Sequence, residues 1–429
     1  MTDSKKDNTF GFATKAIHAG AHPEYVTGAR NTPIFQTTSY VFDSTKQAES
    51  LFKLQEFGFV YSRLTNPTVS VLEERLSSLE KSRAAVACSS GHAAQQLAFA
   101  ALISNGDHFI ASNKLYGGSI NQFTKTFNNF GWDCTLVDPE NINNFENALR
   151  KNTKLIFIET LSNPDGSVLD VEPISKIAKK YHIPLIVDNT LASPFLHNPI
   201  DWGANIITHS LTKFICGNGT SMGGIVIDCG NFNYLADDKF PSMSKPNSSY
   251  NNIKFSETFG DFGLAMKVKA DTLRDLGCSL SPQNAFYILN GVETLNLRMQ
   301  KHTENAQKVA EYLNQNSKVS FVSYAGLKNS KYYKLSKKYF PYGPGSIFTI
   351  KLKKGYKSCV SLVENVKLLS HVANVGDTRS LIIHPASTTH SQLSDDEKVK
   401  SGAGPDVVRL SIGIENVEDI IQDLDQAII

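Results

Sequence analysis

A single lysine that follows two hydroxyl residues at the end of an apolar segment offers the clearest chemistry in this 429-residue sequence. The strand-like residues 206–209 lead into Ser210, Thr212 and Lys213, and a glycine-rich stretch separates them from the next apolar segment. A lysine amine forms Schiff bases with carbonyl compounds, and nearby hydroxyl groups bind phosphate. Lysines are also commonly exposed, so the spacing alone leaves open a surface lysine at a strand end.

A second candidate phosphate site lies earlier in the chain. Ser90 and Gly91 separate an apolar segment from a helical run that opens at His92. A glycine turn at a helix N-terminus presents free N–H groups and the positive end of the helix dipole, which suits a phosphate. Many such turns bind nothing, so the motif alone is weak.

Three further apolar segments also end in polar or aromatic residues. Asp188 ends one of them, where an acid either accepts a hydrogen bond from a protonated ring nitrogen or caps a loop. Tyr116 precedes two glycines, and its ring either stacks on a flat ligand or packs within its own loop. The polar residues 159–164 end the third segment. Coincidence is a poor explanation for so many polar strand ends.

Alternating strand and helix patterns position these residues. Several strands are continuous apolar runs, which favours burial on both faces of a mainly parallel sheet. Residues 171–181 and the stretch after Asn66 carry apolar residues at helical spacing. The alternation predicts an α/β domain whose ligand binds beyond the carboxyl ends of the strands. The predicted strands are Ala84–Cys88, His108–Ser112, 134–137, 155–159, Leu185–Asp188, 206–209 and Gly224–Asp228.

Taken in chain order, several short motifs form one pattern. They are Tyr61-Ser62-Arg63 with Asn66-Pro67-Thr68, Ser90-Gly91, Tyr116-Gly117-Gly118, Asn163-Pro164, Asp188-Asn189-Thr190, Ser210-x-Thr212-Lys213 and Val408-Arg409-Leu410-Ser411. The pattern resembles the Cys/Met-metabolism family of pyridoxal-phosphate enzymes over roughly residues 12–425. Within that family it is most similar to the O-acetylhomoserine sulfhydrylases. The resemblance implies the fold-type I transferase architecture, α/β with a mainly parallel seven-stranded sheet and a smaller C-terminal α+β domain.

The resemblance also implies roles for three catalytic residues. Lys213 would bond to the aldehyde of pyridoxal 5'-phosphate and later carry the Cα proton. Asp188 would keep the pyridine nitrogen protonated, which makes the ring an electron sink. Tyr116 would stack on the ring and assist proton transfer.

The remaining cofactor contacts follow from the same resemblance. Within one chain, side-chain hydroxyl groups and the backbone N–H groups of the turn at residues 90–92 would bind the phosphate. His92 would contribute through its backbone. Tyr61 and Arg63, spaced to point to one side of an extended segment, would reach the phosphate of the neighbouring subunit. An exposed arginine is the alternative for Arg63. The predicted cofactor-binding residues of one chain are Ser90, Gly91, His92, Tyr116, Asp188, Thr190, Ser210, Thr212 and Lys213.

A charged residue embedded in an apolar strand predicts the substrate site. Arg409 lies among apolar residues, and a buried guanidinium without an anion is costly. A structural salt bridge and a bidentate clamp on an amino-acid carboxylate both satisfy it, and the resemblance favours the clamp. Asn163 would join it near the substrate carboxylate.

The reaction implied is γ-replacement, in which O-acetyl-L-homoserine and sulfide give L-homocysteine and acetate in methionine and cysteine biosynthesis. Residues 374–390 resemble the sulfhydrylase form of a shared segment. The polar stretch 231–256 resembles a sulfhydrylase insert, although a tolerated surface loop is the alternative. Gly118 occupies the place where methionine γ-lyases have cysteine. The alternative is a methionine or cystathionine γ-lyase, or a γ-synthase, of the same family.

Composition excludes several other classes. With 43 Lys+Arg against 41 Asp+Glu, a net charge of +2 gives no electrostatic case for nucleic acid. No apolar run reaches the ~20 residues of a membrane span, and the polar residues 1–9 do not form a signal peptide. Six scattered cysteines without pairing motifs predict core thiols in a reducing cytoplasm. His18 and His22 lack further ligands, so no metal site is expected.

Three regions are predicted. Residues 1–60 resemble an arm that packs on a partner subunit, residues 61–270 hold the cofactor sheet, and residues 271–429 form the smaller domain. The last contains amphipathic patterns at 284–297 and 303–313 and a strand at 346–352. The resemblance implies a homotetramer built as a dimer of dimers.

Two rivals of other classes remain at this point. A nucleotide enzyme would require a glycine-rich phosphate motif of the GxGxxG or GxxxxGK[ST] type, and neither occurs. A cofactor-binding protein without catalysis would have lost chemical residues, and these are present.

Overall fold

Two β-sheets organise the protein, a seven-stranded one and a five-stranded one. The computed structural model describes residues 9–391 and 394–428, so the N-terminal residues 1–8 considered for a signal peptide lie outside the described residues. The strands of the first sheet are β1 (Ala84–Cys88), β2 (His108–Ser112), β3 (Asp133–Val137), β4 (Thr153–Glu159), β5 (Leu185–Asp188), β6 (Ile206–Ser210) and β7 (Gly224–Asp228). The strands of the second are β8 (Val319–Ser323), β9 (Ile347–Leu352), β10 (Ser370–His371), β11 (Leu381–Ile383) and β12 (Val407–Ser411).

The first sheet has the order β1-β7-β6-β5-β4-β2-β3. Strands β6, β5, β4, β2 and β3 run parallel, whereas β7 is antiparallel to both β6 and β1. All seven predicted strands are present, and the bounds differ by at most two residues. Their apolar runs are buried because helices cover both faces, as expected for a parallel sheet.

Helices alternate with the strands along the chain. Asn66 caps one of them, since its side chain accepts a hydrogen bond from the Thr68 N–H, and Pro67 occupies the first turn. The helices as far as the end of the first sheet are α1 (Phe12–His18), α2 (Thr45–Phe52), α3 (Pro67–Leu79), α4 (Gly91–Leu102), α5 (Gly117–Asn121), α6 (Phe127–Asn129), α7 (Asn143–Asn147), α8 (Val171–Lys180) and α9 (Ser193–Leu196).

The second sheet has the order β10-β11-β12-β9-β8, so β12 lies between β11 and β9. It packs against the helix Leu295–Gln315 and the last helices in a separate apolar core. The remaining helices are α10 (Pro241–Ser244), α11 (Phe255–Phe259), α12 (Gly263–Lys267), α13 (Arg274–Leu276), α14 (Pro282–Glu293), α15 (Leu295–Gln315), α16 (Tyr333–Tyr339), α17 (Tyr356–Asn365), α18 (Asp395–Lys400) and α19 (Val417–Ala427). The smaller sheet confirms the predicted fold class, and the limits at residues 60 and 270 stay predictions.

Four 3₁₀ turns and two π-helical segments complete the secondary structure of the described residues. The 3₁₀ turns are Pro199–Trp202, Ser248–Tyr250, Gly260–Phe262 and Pro385–Ser387, and the π-helical segments are Gln122–Thr126 and Val268–Leu273.

Two sequence expectations were wrong in detail. The helical patterns at 284–297 and 303–313 predict a break near residue 300, but α14 and α15 meet at Thr294. A polar face of α15 is buried, so hydrophobic periodicity misplaced the boundary. The stretch 231–256 is also not an irregular surface loop. It contains α10 and a 3₁₀ turn, and Phe240, Tyr250 and Phe255 are buried in the core beneath it.

The structure places most of the cysteines in the core, as the sequence predicts. Cys88, Cys216, Cys229 and Cys359 are buried and free, and Cys134 and Cys278 are partly buried. The described residues include no cluster of acidic, histidine and cysteine side chains suited to a metal ion. Within the same residues, every helix is too short or too polar to cross a membrane.

Gly224 provides a test of how closely β7 packs against the turn at Ser90 that follows β1. A Cβ atom at this position would lie 1.9 Å from the Ser90 carbonyl oxygen, because β7 pairs with β1 at Cys88. We expect Gly224→Ala to reduce the free energy of unfolding by about 1–3 kcal/mol, as for overpacking of a close contact.

Denaturant unfolding of the two variants Gly224→Ala and Gly11→Ala checks this expectation. A Cβ atom at Gly11 meets nothing within 4 Å, so this control should cost less than about 1 kcal/mol. Equal effects of the two substitutions would contradict the close-contact explanation.

Candidate active site

A cavity of about 400 Å³ lies beyond the carboxyl ends of the parallel strands and reaches strand β12 of the second sheet. Its walls contain every residue predicted for the site except Tyr61 and Arg63. The predicted residues that line it are Ser90, Gly91, His92, Tyr116, Asn163, Asp188, Thr190, Ser210, Thr212, Lys213 and Arg409. Strands far apart in the sequence therefore deliver these side chains to one place, as expected for an open α/β sheet.

One end of the cavity is formed by the N-terminus of α4. Ser90 caps this helix, since its Oγ accepts the Ala93 N–H at 3.1 Å, and Gly91 begins the first turn. A Cβ atom at Gly91 would come within 2.8 Å of the Ser210 Cβ, so glycine permits the helix end to approach the end of β6. The first N–H groups of the helix and the Ser210 hydroxyl together suit a phosphate.

Asp188 lies at the end of β5, with each carboxylate oxygen oriented by one neighbour. The Thr208 hydroxyl donates to Oδ2 at 2.9 Å, and the Thr190 N–H donates to Oδ1 at 3.0 Å. A carboxylate accepts about four hydrogen bonds, so this buried group keeps capacity for another donor in the cavity. A protonated pyridine nitrogen is such a donor.

Lys213 follows β6 and donates from its Nζ to the Asn374 Oδ1 at 2.6 Å. Burial, followed by repulsion from the Arg409 guanidinium, lowers the pKa of Lys213 to about 8. Both effects disfavour the charged form of the amine. A larger fraction of this amine is therefore neutral near neutral pH than for an exposed lysine, as its action on a carbonyl group or a proton requires.

Arg409 projects from β12 into the same cavity and is buried. Its Nη1 donates to the Asn163 Oδ1 at 3.1 Å, and its Nη2 donates to the Asn374 carbonyl at 2.9 Å. Its Nε, however, is buried without an acceptor, and no carboxylate of the described residues lies within ion-pair distance. Among the described residues, Arg409 therefore has no structural salt bridge. A bound carboxylate would satisfy its charge.

Tyr116 lies at the cavity wall with its ring partly exposed. Its backbone N–H donates to the Glu159 Oε1 at 2.8 Å, which holds the turn that carries the ring. A Cβ atom at Gly118 would lie 2.4 Å from the Tyr116 ring, so no larger residue fits there with the ring in this position. The His92 ring lies 5.8 Å from the Tyr116 ring and is tilted by 32°.

Of the wall residues that were given no role in the sequence analysis, Glu159 and Asn374 form hydrogen bonds with predicted site residues. Glu159 is buried, and this burial together with repulsion from Asp188 raises its pKa well above the usual value. It ends β4, so its place at a strand end was the signal that could have identified it. Asn374 lies in a segment without regular structure, and no spacing rule connects it to a lysine 161 positions earlier.

Tyr61 and Arg63 lie outside the cavity of their own chain. Both are exposed, and the Arg63 guanidinium lies 5.4 Å from the centre of the Tyr61 ring. The arm that precedes them also exposes apolar side chains, of which Val41 is 98% exposed. A role for these residues in the cavity would require a second copy of the chain.

The cavity fits pyridoxal phosphate by its donors and acceptors. A helix N-terminus with hydroxyl groups suits the phosphate, a strand-end acid with spare acceptor capacity suits the ring nitrogen, and a buried amine suits the aldehyde. A volume of about 400 Å³ is within the usual range for cofactor pockets.

Comparisons with known proteins agree with this chemistry. Residues 13–429 match the family described as Cys/Met metabolism PLP-dependent enzymes. The chain is 45% identical to an O-acetyl-L-homoserine sulfhydrylase from Leptospira meyeri, covering 97% of this chain and 96% of that protein. It is 42% identical to O-acetyl-L-homoserine sulfhydrylase 1 from Thermus thermophilus, covering 97% and 99%.

A solved structure supports the same conclusion. The crystal structure of a putative O-acetylhomoserine (thiol)-lyase from Campylobacter jejuni, which contains a pyridoxyl-lysine monophosphate residue, has a TM-score of 0.95 and 40% sequence identity. The match covers 98% of this chain and 100% of that one. The predicted fold type and cofactor are thus confirmed, and this chain belongs to the pyridoxal-phosphate-dependent enzymes of cysteine and methionine metabolism.

Proposed function

We propose that this protein is an O-acetyl-L-homoserine sulfhydrylase, which converts O-acetyl-L-homoserine and hydrosulfide to L-homocysteine and acetate. The observation that carries the proposal is the buried Arg409, which lies without a carboxylate partner in the cavity that also contains Lys213. This arrangement suits an α-amino acid bound by its carboxylate beside a reactive amine. Relatives that are 42–45% identical over nearly their full length carry the sulfhydrylase name and support the choice of reaction.

The residues of the chain divide the work by their position. Pyridoxal phosphate supplies an aldehyde that binds the substrate amine and a protonated ring that accepts electrons from the Cα–H bond. Arg409 and Asn163 bind the substrate carboxylate, and this fixes the Cα–H bond relative to the ring. Asp188 maintains the proton on the ring nitrogen. Lys213, whose amine is neutral more often than that of an exposed lysine, removes the Cα proton and returns it.

Replacement at Cγ then needs a proton to leave Cβ as acetate departs from Cγ, and a proton to return to Cβ when hydrosulfide bonds to Cγ. Tyr116 lies at the cavity wall beside His92 and is the second candidate for proton transfer. No cysteine nucleophile is required, because hydrosulfide supplies the sulfur. The clash predicted at Gly118 is consistent with the absence of the cysteine that methionine γ-lyases have there.

A second copy of the chain would complete the phosphate site in this proposal. The exposed arm, residues 9–60, and the exposed pair Tyr61 and Arg63 support contacts with a partner subunit. We extend the proposal to a homotetramer built from two such dimers. A cytoplasmic location agrees with six unpaired cysteines.

The reaction itself can be tested with purified holoenzyme. We expect homocysteine from O-acetylhomoserine only when sulfide is present, measured by thiol derivatisation and chromatography. O-Succinylhomoserine in a parallel assay identifies the preferred ester. Rapid release of 2-oxobutanoate without homocysteine in either condition would contradict the proposal and identify a γ-lyase.

Shared active sites can be tested by mixing two inactive variants. Lys213→Ala removes the amine of one site, whereas Arg63→Ala removes the phosphate contact proposed for the partner's site. After unfolding and refolding together, half of the dimers are mixed, and each has one intact site, so about a quarter of the wild-type activity should return.

The matched control pairs Lys213→Ala with Arg409→Gln. Both of these residues line the same cavity of one chain, so a mixed dimer has no intact site and no activity should return. Equal recovery in the two mixtures, or none in either, would argue against a site completed by the partner.

The charge of Lys213 can be measured in cofactor-free protein. Acylation of its amine at a series of pH values should show a midpoint near pH 8, quantified by mass spectrometry of the peptide. Asn374→Asp places a negative charge beside the amine and should raise the midpoint by about 1 unit or more. Asn374→Leu removes the acceptor of the protonated form and should lower it.

The exposed Lys308 in the same samples reports how the reagent itself responds to pH. A wild-type midpoint near the ordinary value for lysine would contradict the effect of burial. An unchanged midpoint in Asn374→Asp would contradict the contact between the two side chains.

A further inference from the structure

Helix α15 carries three buried polar side chains on one face. Arg298, His302 and Asn305 are spaced by four and three residues, so they form one stripe along the helix. All three are buried, and each donates to backbone carbonyl groups outside the helix. We call this set the polar stripe.

Arg298 binds the segment that directly follows Lys213. Its Nη1 donates to the Phe214 carbonyl at 2.6 Å, and its Nη2 donates to the Ile215 carbonyl at 3.2 Å and to the Gly291 carbonyl at 2.7 Å. A Cβ atom at Gly217 would lie 2.1 Å from the same guanidinium, so glycine permits this close approach. The planar fork thus holds the two residues that directly follow Lys213 in the chain.

His302 and Asn305 bind the segment that follows Arg409. The His302 Nδ1 donates to the Ile412 carbonyl at 2.7 Å. The Asn305 Nδ2 donates to the carbonyls of Gly413 and Glu415 at 3.0 and 2.8 Å. These acceptors begin three residues after the arginine on β12.

His302 also contacts the segment that follows Lys213. Its ring meets the Phe214 ring edge-on at 5.1 Å, so one side chain touches both segments. Burial lowers the pKa of His302 to about 4, and the ring is therefore neutral and donates through Nδ1 alone.

A buried cation without an acid partner is an expensive way to fill a core. None of the described carboxylates forms an ion pair with Arg298, and apolar side chains would fill the same volume at lower cost. The geometry of the acceptors gives the reason for its presence. Apart from bonds to the Thr294 hydroxyl and the Gly291 carbonyl, the stripe donates to carbonyl groups that follow Lys213 at one end and Arg409 at the other.

We propose that the polar stripe is a positioning device that sets the distance and orientation between Lys213 and Arg409. A single helix serves this purpose because its residues have fixed separations, and functional groups must be held within about 0.5 Å of their productive geometry. The inference rests on the proposed roles of Lys213 and Arg409 in the candidate active site.

Substitutions along the stripe should have separable effects. Arg298→Met releases the lysine segment. It should lower kcat about 10- to 100-fold and shift the pH at which the visible absorbance of the bound cofactor changes. Asn305→Leu releases the arginine segment, so it should raise KM for the amino acid and leave this absorbance midpoint unchanged. His302→Leu touches both segments and should change both.

Conservative variants test the hydrogen bonds themselves. Arg298→Lys keeps the charge but loses the fork, so it should change the midpoint in the same direction as Arg298→Met by a smaller amount. His302→Asn retains a donor near the Nδ1 position. Its KM should therefore lie much closer to the wild-type value than the KM of His302→Leu.

The control is Leu313→Ala, which makes a cavity on the same helix about two turns beyond Asn305. It should lower the melting temperature while KM, kcat per bound cofactor and the absorbance midpoint stay unchanged. The proposal is overturned if the stripe variants behave as this control does. A wild-type protein without the absorbance of a lysine-bound cofactor would instead overturn the proposed function.

Discussion

The structure depends on keeping two cations, Lys213 and Arg409, buried in one cavity with neutral partners. The amine is bound to the Asn374 amide oxygen, and the guanidinium is bound to the Asn163 side chain and the Asn374 carbonyl. Amide groups orient the charges without neutralising them, so attraction for anions remains. The substrate carboxylate is the anion that the proposed function provides for Arg409. Pairing of this guanidinium with an acid of the chain would stabilise the empty protein and weaken its binding of the substrate.

Strand ends explain why much of the site was predictable. Each parallel strand delivers its final residue to the same edge, so Ser210 and Asp188 could be placed together from apolar runs alone. The fold class followed from the same alternation and is confirmed. The roles of individual residues followed from the family pattern, and they stay predictions. Physical spacing placed the groups, whereas the resemblance assigned their chemistry.

Other features were beyond what periodicity reveals. Arg298 reads as a solvent-exposed charge on an amphipathic helix, yet its partners are carbonyls 83 and 84 positions earlier. Buried polar residues of this kind also misplaced the boundary between α14 and α15. The stretch 231–256 was polar enough to read as a loop, since helices of three to five residues leave no periodic signal. These three features depend on contacts between residues far apart in the sequence. A short stretch of sequence contains no information on such contacts.

The hydrogen bond between Asn163 and Arg409 joins residues 246 positions apart. During synthesis the α/β part emerges first and begins to fold while β12 has not yet been made. The strand ends proposed for the cofactor can therefore come together before the chain has the guanidinium proposed for the substrate. In the proposed site, competence for catalysis then depends on the residues of the chain that are synthesised last.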